Sequence, residues 1–191
     1  MQKAVLISGS PRKGGNTEII LSKCAEKLSE AGIQTKLINL SEANILPCTA
    51  CMYCKKGKPE CSIRKDDFST IFNSVIESDI VILGSPVYFG SATAQIKALI
   101  DRVGYVSRGN GNLLSKKIGA PIVVARRAGH NFTYAQLLCW YTINDMIIPG
   151  STYWNIGFAG AKGEIENDIE CIKTIEKLAE NIIFLAEKIK S

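Results

Sequence analysis

Apolar residues in this chain gather into short unbroken runs, and longer stretches with a helical period lie between them. Residues 5–7 open the first run, which ends in Ser8-Gly9-Ser10-Pro11, the mark of a buried strand entering a turn. Asn16 or Thr17 is placed to cap the next helix, Ile20, Cys24 and Leu28 recur every fourth residue along it, and Gly32 sits at its C-terminal end. Residues 36–40 predict a second strand. Residues 43–65 follow neither period. Residues 66–77 predict a helix with Phe68, Ile71, Phe72 and Val75 on one face. Residues 80–83 repeat the first design, an aliphatic run stopping at Gly84-Ser85-Pro86. A helix over 92–103, a strand over 118–125 and a helix over 133–146 come next. The fifth strand is placed at 151–154, and a last amphipathic helix at 165–189 keeps Ile172, Ile175, Ala179, Ile182 and Ala186 in step.

Strands that alternate with helices and are aliphatic throughout belong in a parallel sheet covered on both faces. Five such units predict an α/β, flavodoxin-like, doubly wound five-stranded sheet of order 2-1-3-4-5, with a cysteine-rich insertion after strand 2. No repeat or linker divides the chain, so a single domain spans residues 1–191, with the cysteine segment at 44–65. Ligands of such sheets bind beyond the carboxyl ends of the strands, which directs attention to the turns after strands 1, 3 and 4.

Composition narrows the function. The 191 residues are 46% hydrophobic and 21% charged, which excludes a disordered chain. The net charge is 23 − 18 = +5, too diffuse for a dedicated nucleic-acid binder. No apolar stretch approaches the roughly 20 residues that span a bilayer. The expectation is a cytoplasmic protein with neither a membrane nor a nucleic acid as partner. Seven cysteines stand beside one histidine, His130. In a reducing compartment, clustered cysteines more often serve metal or redox chemistry than structural disulfides.

The first turn, residues 8–17, combines three hydroxyls, three glycines and two cations at a helix N-terminus, where free N–H groups and the helix dipole favour an anion. A Walker A loop is excluded because Gly15-Asn16 follow Gly14 where Lys and Ser or Thr are required, and G-x-G-x-x-G is absent. The loop suits a single terminal phosphate, as on FMN; without a ligand it is an ordinary polar strand-to-helix turn. In the third turn, Tyr88 and Phe89 between Pro86 and Gly90 offer a wall for a flat ring, or else two core aromatics.

Cys48, Cys51, Cys54 and Cys61 form C-x2-C-x2-C-x6-C. Bacterial ferredoxins hold cubane [4Fe–4S] clusters with C-x2-C-x2-C-x3-C. The arm with Gly57 and Pro59 can deliver the fourth thiolate from a separate stretch. Lys55, Lys56, Lys58, Arg64 and Lys65 against Glu60 make a local excess of 5 − 1 = +4, which favours a reduced cluster and raises its potential. A structural zinc site, a redox disulfide and a loop that binds nothing are the alternatives.

SGSPRKGGNT followed by DIVILGSPVYFGSATAQIKALIDR resembles the flavodoxin-like proteins of the NADPH-dependent FMN reductase group. That resemblance implies phosphate contacts from Ser8, Ser10, Arg12, Asn16 and Thr17. It implies ring contacts from Pro86, Val87, Tyr88, Phe89 and Gly90, with Arg126, Gly129 and the rest of loop 126–130 covering the far side. With the cysteines, and with MIIPGSTYWNIGFAGAKGEIEND further on, nearly the whole chain resembles the iron–sulfur flavoproteins. The six-residue arm before Cys61 departs from the more common five. The family implies FMN, a [4Fe–4S] cluster on Cys48, Cys51, Cys54 and Cys61, a ferredoxin-like electron donor, and a homodimer or homotetramer.

The function expected is a redox flavoprotein that passes electrons from a ferredoxin-like donor through the cluster to FMN and on to an acceptor. The alternative is an NAD(P)H-dependent FMN or quinone reductase without a cluster. Helix 133–146 is apolar on most sides, which suits either burial in the monomer or a subunit interface. His130 is read as a solvated helix-start residue rather than a flavin neighbour. Cys24, Cys139 and Cys171 are read as small core residues.

Overall fold

In the computed structural model, which describes residues 1–190, five parallel strands alternate with five helices. The domain expected over 1–191 ends on Ser191, which lies outside the described residues. The elements are β1 (Lys3–Ser8), α1 (Asn16–Glu30), β2 (Gln34–Asn39), α2 (Phe68–Glu77), β3 (Ile80–Pro86), α3 (Ala94–Gly109), β4 (Ile118–Ala125), α4 (His130–Ile143), β5 (Ile156–Phe158) and α5 (Ile169–Lys190). The sheet order is β2-β1-β3-β4-β5, the flavodoxin-like order expected.

Successive residues of the central strands point to opposite faces, and both faces are buried, which is why these strands are aliphatic throughout. Leu6, Ile82, Ala120 and Ile122 pack under α1 and α5. Val5, Ile7, Val81, Leu83 and Val123 pack under α2, α3 and α4.

Pro121 lies inside β4, opposite Leu83 of β3. Its nitrogen carries no N–H and lies on the β5 side, between the Gly119 and Val123 amides that bond Ile147 and Asn155, so no bond to β3 is lost. On the β3 side Tyr141 from α4 bridges the ladder: the Leu83 N–H donates to its hydroxyl at 2.9 Å, and the hydroxyl donates to the Ala120 carbonyl at 2.9 Å. Gly119 makes room for the ring, since a Cβ there would lie 2.3 Å from Tyr141 Cδ1.

Several elements differ from the sequence expectation, among them α3, which runs to Gly109 and not to 103. The fifth strand is Ile156–Phe158, not 151–154. Tyr153 and Trp154, within the expected range, are about half exposed and pack on each other at 5.1 Å. Helix α4 begins three residues early, directly after Gly129 in a left-handed conformation, and ends at Ile143. At the last helix, Ile165 is buried in a 3-10 turn, Glu164–Asn167, before α5 starts. Among the described residues no helix is long and apolar enough to cross a membrane.

Candidate functional site

The turns after β1, β3, β4 and β5 enclose a cleft of about 640 Å³, of the size that holds a cofactor. Ser10, Arg12, Asn16 and Thr17 line it from the first turn, Pro86, Val87 and Tyr88 from the third, and Arg126 from the fourth. The sheet order thus brings together residues up to 164 − 10 = 154 positions apart (Ser10 to Glu164) on one sheet edge.

The first turn is held tightly. Ser8 is buried and its Oγ accepts the Ser10 N–H at 3.4 Å; Ser10 Oγ in turn accepts the Arg12 N–H at 3.1 Å. Ser8 therefore shapes the loop from beneath and is not part of the cleft wall. Gly9 packs against α3 so closely that a Cβ would sit 2.0 Å from Ile96 Cγ1. The expected cap from Asn16 or Thr17 is absent: Gly15 is the N-cap and offers no side chain. The first-turn amides of α1 are left without intrahelical acceptors at the cleft, the arrangement an anion needs.

Asn16 has another task than capping. Its Nδ2 donates to the Ala161 carbonyl at 2.7 Å, and its Oδ1 accepts the Gly163 N–H at 2.9 Å. Arg12 Nη1 donates to the Gly160 carbonyl at 3.3 Å. The first turn is therefore strapped to the segment after β5. Lys13 turns to Glu42, 2.5 Å away, while Lys162 brings its ammonium 3.0 Å from where a Cβ on Gly14 would be.

Val124 and Ala125 of β4 and Phe158, Ala159, Gly160, Ala161 and Glu164 complete the cleft wall, and the sequence reading missed all seven. For the last five the signal was the small-residue run Gly157 to Gly163, noticed only as family-like. Glu164 accepts the Gly160 and Ala161 N–H groups at 2.6 and 2.8 Å. Those two bonds, with the charge of Arg126, hold its carboxyl below the usual range.

Phe89, Gly90 and Gly129 lie outside the cleft lining. Phe89 and Gly90 form the tip of a two-residue turn closed by Tyr88 and Ser91, with φ of 49° and 77°, and the Phe89 ring is fully exposed. The tight turn needs positive φ at both positions, so Phe89 points away from the core and from the cleft. Gly129 packs behind this turn, where a Cβ would lie 2.8 Å from Val87 Cγ1. His130 is buried rather than solvated: its Nε2 lies 3.1 Å from the Gly157 carbonyl and its ring 4.4 Å from that of Phe158.

The second site is the cysteine loop. Cys48, Cys51, Cys54 and Cys61 line one cavity against Arg102, Tyr105 and Val106 of α3. The loop is closed at its base: the Asp67 N–H donates to the Asn44 carbonyl at 3.0 Å, and the Asn44 N–H returns to Asp67 Oδ2 at 2.8 Å. Ala50 and Met52, between the leading cysteines, take left-handed conformations, φ 53° and 57°. The Ala50 N–H donates to Cys48 Sγ at 3.4 Å, and Cys51 Sγ lies 3.1 Å from Ser62 Oγ. The Ser62 hydroxyl and the Tyr53 amide hold the Cys51 thiol below its usual pKa. Burial pushes the Cys54 thiol up, and the other three cysteines add to that push.

Among the described residues, no group of three His, Cys, Asp or Glu side chains is arranged to hold a metal ion. The cavity between the thiols is about 20 Å³, the room of one water. Four thiols suit an iron–sulfur cluster or a zinc ion, and a cluster would require the loop to open around it. Arg64 pairs with Glu60 at 2.7 Å, so the four lysines carry the local excess of +4. Cys24 and Cys171 are buried as expected, whereas Cys139 is exposed on the outer side of α4.

A family model described as NADPH-dependent FMN reductase matches residues 2–161. An iron–sulfur flavoprotein of Methanocaldococcus jannaschii is 34% identical, with 98% of this chain and 99% of the relative covered. One from Archaeoglobus fulgidus is 33% identical, covering 91% of this chain and 94% of its own. Among solved structures, RosB with bound 8-demethyl-8-formylriboflavin-5'-phosphate superposes with a TM-score of 0.82 at 18% identity, over 100% of this chain and 81% of that one. That likeness shows the shared fold. The family match over most of the chain, and relatives alike from end to end, establish that this chain belongs to the NADPH-dependent FMN reductase family and to the iron–sulfur flavoproteins within it, as an oxidoreductase of the flavoprotein type.

Proposed function

We propose that the chain is a two-cofactor electron-transfer protein, with FMN in the cleft and a [4Fe–4S] cluster on Cys48, Cys51, Cys54 and Cys61, serving a ferredoxin-like donor. The observation that carries the reading is the convergence of four thiols on one cavity in a chain that also has the phosphate turn and cleft. FMN supplies one- or two-electron chemistry and a cubane supplies single-electron chemistry.

The chain's own residues bind and orient. The first-turn amides of α1, the Ser10 and Thr17 hydroxyls and the Lys162 ammonium are disposed for a terminal phosphate. Pro86, Val87 and Tyr88 offer one wall for the ring, and the segment after β5 the other. Lys55, Lys56, Lys58 and Lys65 surround the cysteine loop and favour an acidic carrier protein, an attraction that weakens as salt rises. Assembly into a homodimer or homotetramer belongs to the same reading, and the exposed Phe132 and Ile143 on α4 offer apolar surface for it.

Replacing Cys51 by alanine tests the assignment. The expected protein binds FMN normally and loses its iron; full iron and sulfide in Cys51→Ala would refute the cluster. The match to the FMN reductase model favours one rival, an NAD(P)H-dependent FMN or quinone reductase without a cluster. That rival requires rapid bleaching of the flavin by NADPH alone in a protein free of iron.

A further inference from the structure

Arg102 is a charged residue in the interior, 1% exposed, on a helix whose neighbours face the core. It pairs with Asp66, and both side chains are fully buried. Nη1 bonds Asp66 Oδ2 and donates to the Leu46 carbonyl at 3.0 Å; Nη2 donates to the Ile63 carbonyl at 3.2 Å and to Asp66 Oδ1 at 3.3 Å. The Leu46 N–H also donates to Asp66 Oδ2, at 2.9 Å. Leu46 precedes Cys48 by two residues and Ile63 follows Cys61 by two. One guanidinium therefore joins the two arms of the cysteine loop.

The guanidinium is also held in place from the side, with the ring of Phe68 3.9 Å from its central carbon. Its Nε has no hydrogen-bond partner, although it is buried. A buried N–H on a charged group without an acceptor is costly, and such atoms ask for an explanation. Arg102 and Cys61 form part of the wall of the same cavity. Burial works against the charge of Arg102, but the Asp66 hydrogen bond and the neighbouring Cys61 outweigh it, so the group stays charged.

We infer that Arg102 is the positioning residue of the cysteine site: it locks the two arms of the loop and presents buried positive charge to the sulfur ligands, which raises the potential of the cluster they hold. This rests on the cluster reading above. The exposed lysines act through water and salt, whereas Arg102 acts from the interior, where screening is weak. Asp66 carries the opposite charge and does not line that cavity, so the two charges of one ion pair have opposite effects on the potential.

The test uses the full chain, reconstituted anaerobically with iron and sulfide, with FMN bound. Iron content, sulfide content and the midpoint potential by EPR-monitored titration are measured for wild type, D66N and the double variant R102M/D66N. The double variant removes both buried charges together and so avoids stranding one of them. D66N is expected to raise the potential and R102M/D66N to lower it, each by at least a tenfold change in the reduction equilibrium, 59 mV for one electron. Unmoved potentials in both variants, with wild-type iron content, overturn the role of Arg102 and leave the cluster reading intact. If the double variant keeps FMN but no iron, D66N decides, and an unmoved D66N potential overturns the inference. A wild-type protein that takes up no iron overturns the cluster reading, and this inference with it.

Discussion

The side-chain oxygen of Asn16 accepts the backbone N–H of Gly163 at 2.9 Å, across 147 residues of sequence. With the second bond from Asn16 to Ala161, this ties the phosphate turn to the wall opposite it. Asn16→Ala removes both links and leaves backbone groups without partners. The cost is about 1–3 kcal/mol, and FMN affinity is expected to fall roughly tenfold to a hundredfold. Flavin fluorescence titration of the apoprotein measures it.

Gly9→Ala tests the approach of the first turn to α3. The added methyl overlaps Ile96, and overpacking of this kind costs about 1–3 kcal/mol or more. The expected melting temperature is lower than wild type, and the drop caused by Gly9→Ala is smaller in an Ile96→Ala background, where Cγ1 and Cδ1 are gone.

The turns that carry chemistry were legible where the chemistry is local. Ser10, Arg12, Asn16 and Thr17 lie in one stretch, and so do the four cysteines, so composition and spacing reveal them. The central strands were legible because burial on both faces leaves only aliphatic residues. The wall at 158–164 was not, because it reaches the cleft only through the position of β5, a three-residue edge strand with one buried residue. Tyr and Trp favour strands as much as Ile and Phe do, so residues 153–154 and 156–158 are not told apart by residue type. Arg102 was hidden as well: in a helical period it reads as a solvated position, and only the folded loop shows it enclosed. Phe89 misled in the opposite sense, since an aromatic residue at a strand end gives no sign that a tight turn will point it into solvent.

Tyr141→Phe removes the hydroxyl that bridges the Leu83 N–H and the Ala120 carbonyl and leaves both without that partner in the middle of the sheet. Two buried groups without partners cost about 2–5 kcal/mol. Denaturant unfolding of the apoprotein is expected to show this loss with an unchanged m-value.

The seven thiols separate by burial. Burial pushes Cys24 and Cys171 up to about 12, so neither forms the reactive thiolate in the folded protein. In the apoprotein at neutral pH, alkylation followed by mass spectrometry is expected to label Cys48, Cys51 and Cys139 first. Cys24 and Cys171 are labelled only after unfolding. Since Cys51 is held below its usual pKa, its labelling persists as pH is lowered further than an ordinary thiol allows.

Acid tests the buried ion pair. Burial pushes the Asp66 carboxyl up, but the hydrogen bonds from Arg102 and the Leu46 amide outweigh it and leave it below 3.8. A carboxylate depressed on folding contributes stability above its unfolded pKa, and that contribution is lost as pH falls through its folded value. The wild-type apoprotein is therefore expected to lose stability steeply below pH 3.8, and R102M/D66N to lose it less steeply over the same range.

The cofactor content of the anaerobically prepared wild-type protein tests the central claim most directly. Flavin, iron and acid-labile sulfide are measured against protein, with an EPR spectrum of the dithionite-reduced sample. Two-cofactor function predicts four iron and four sulfide for each FMN, with the spectrum of a reduced cubane. FMN without iron, or zinc in place of iron on the four cysteines, would contradict it.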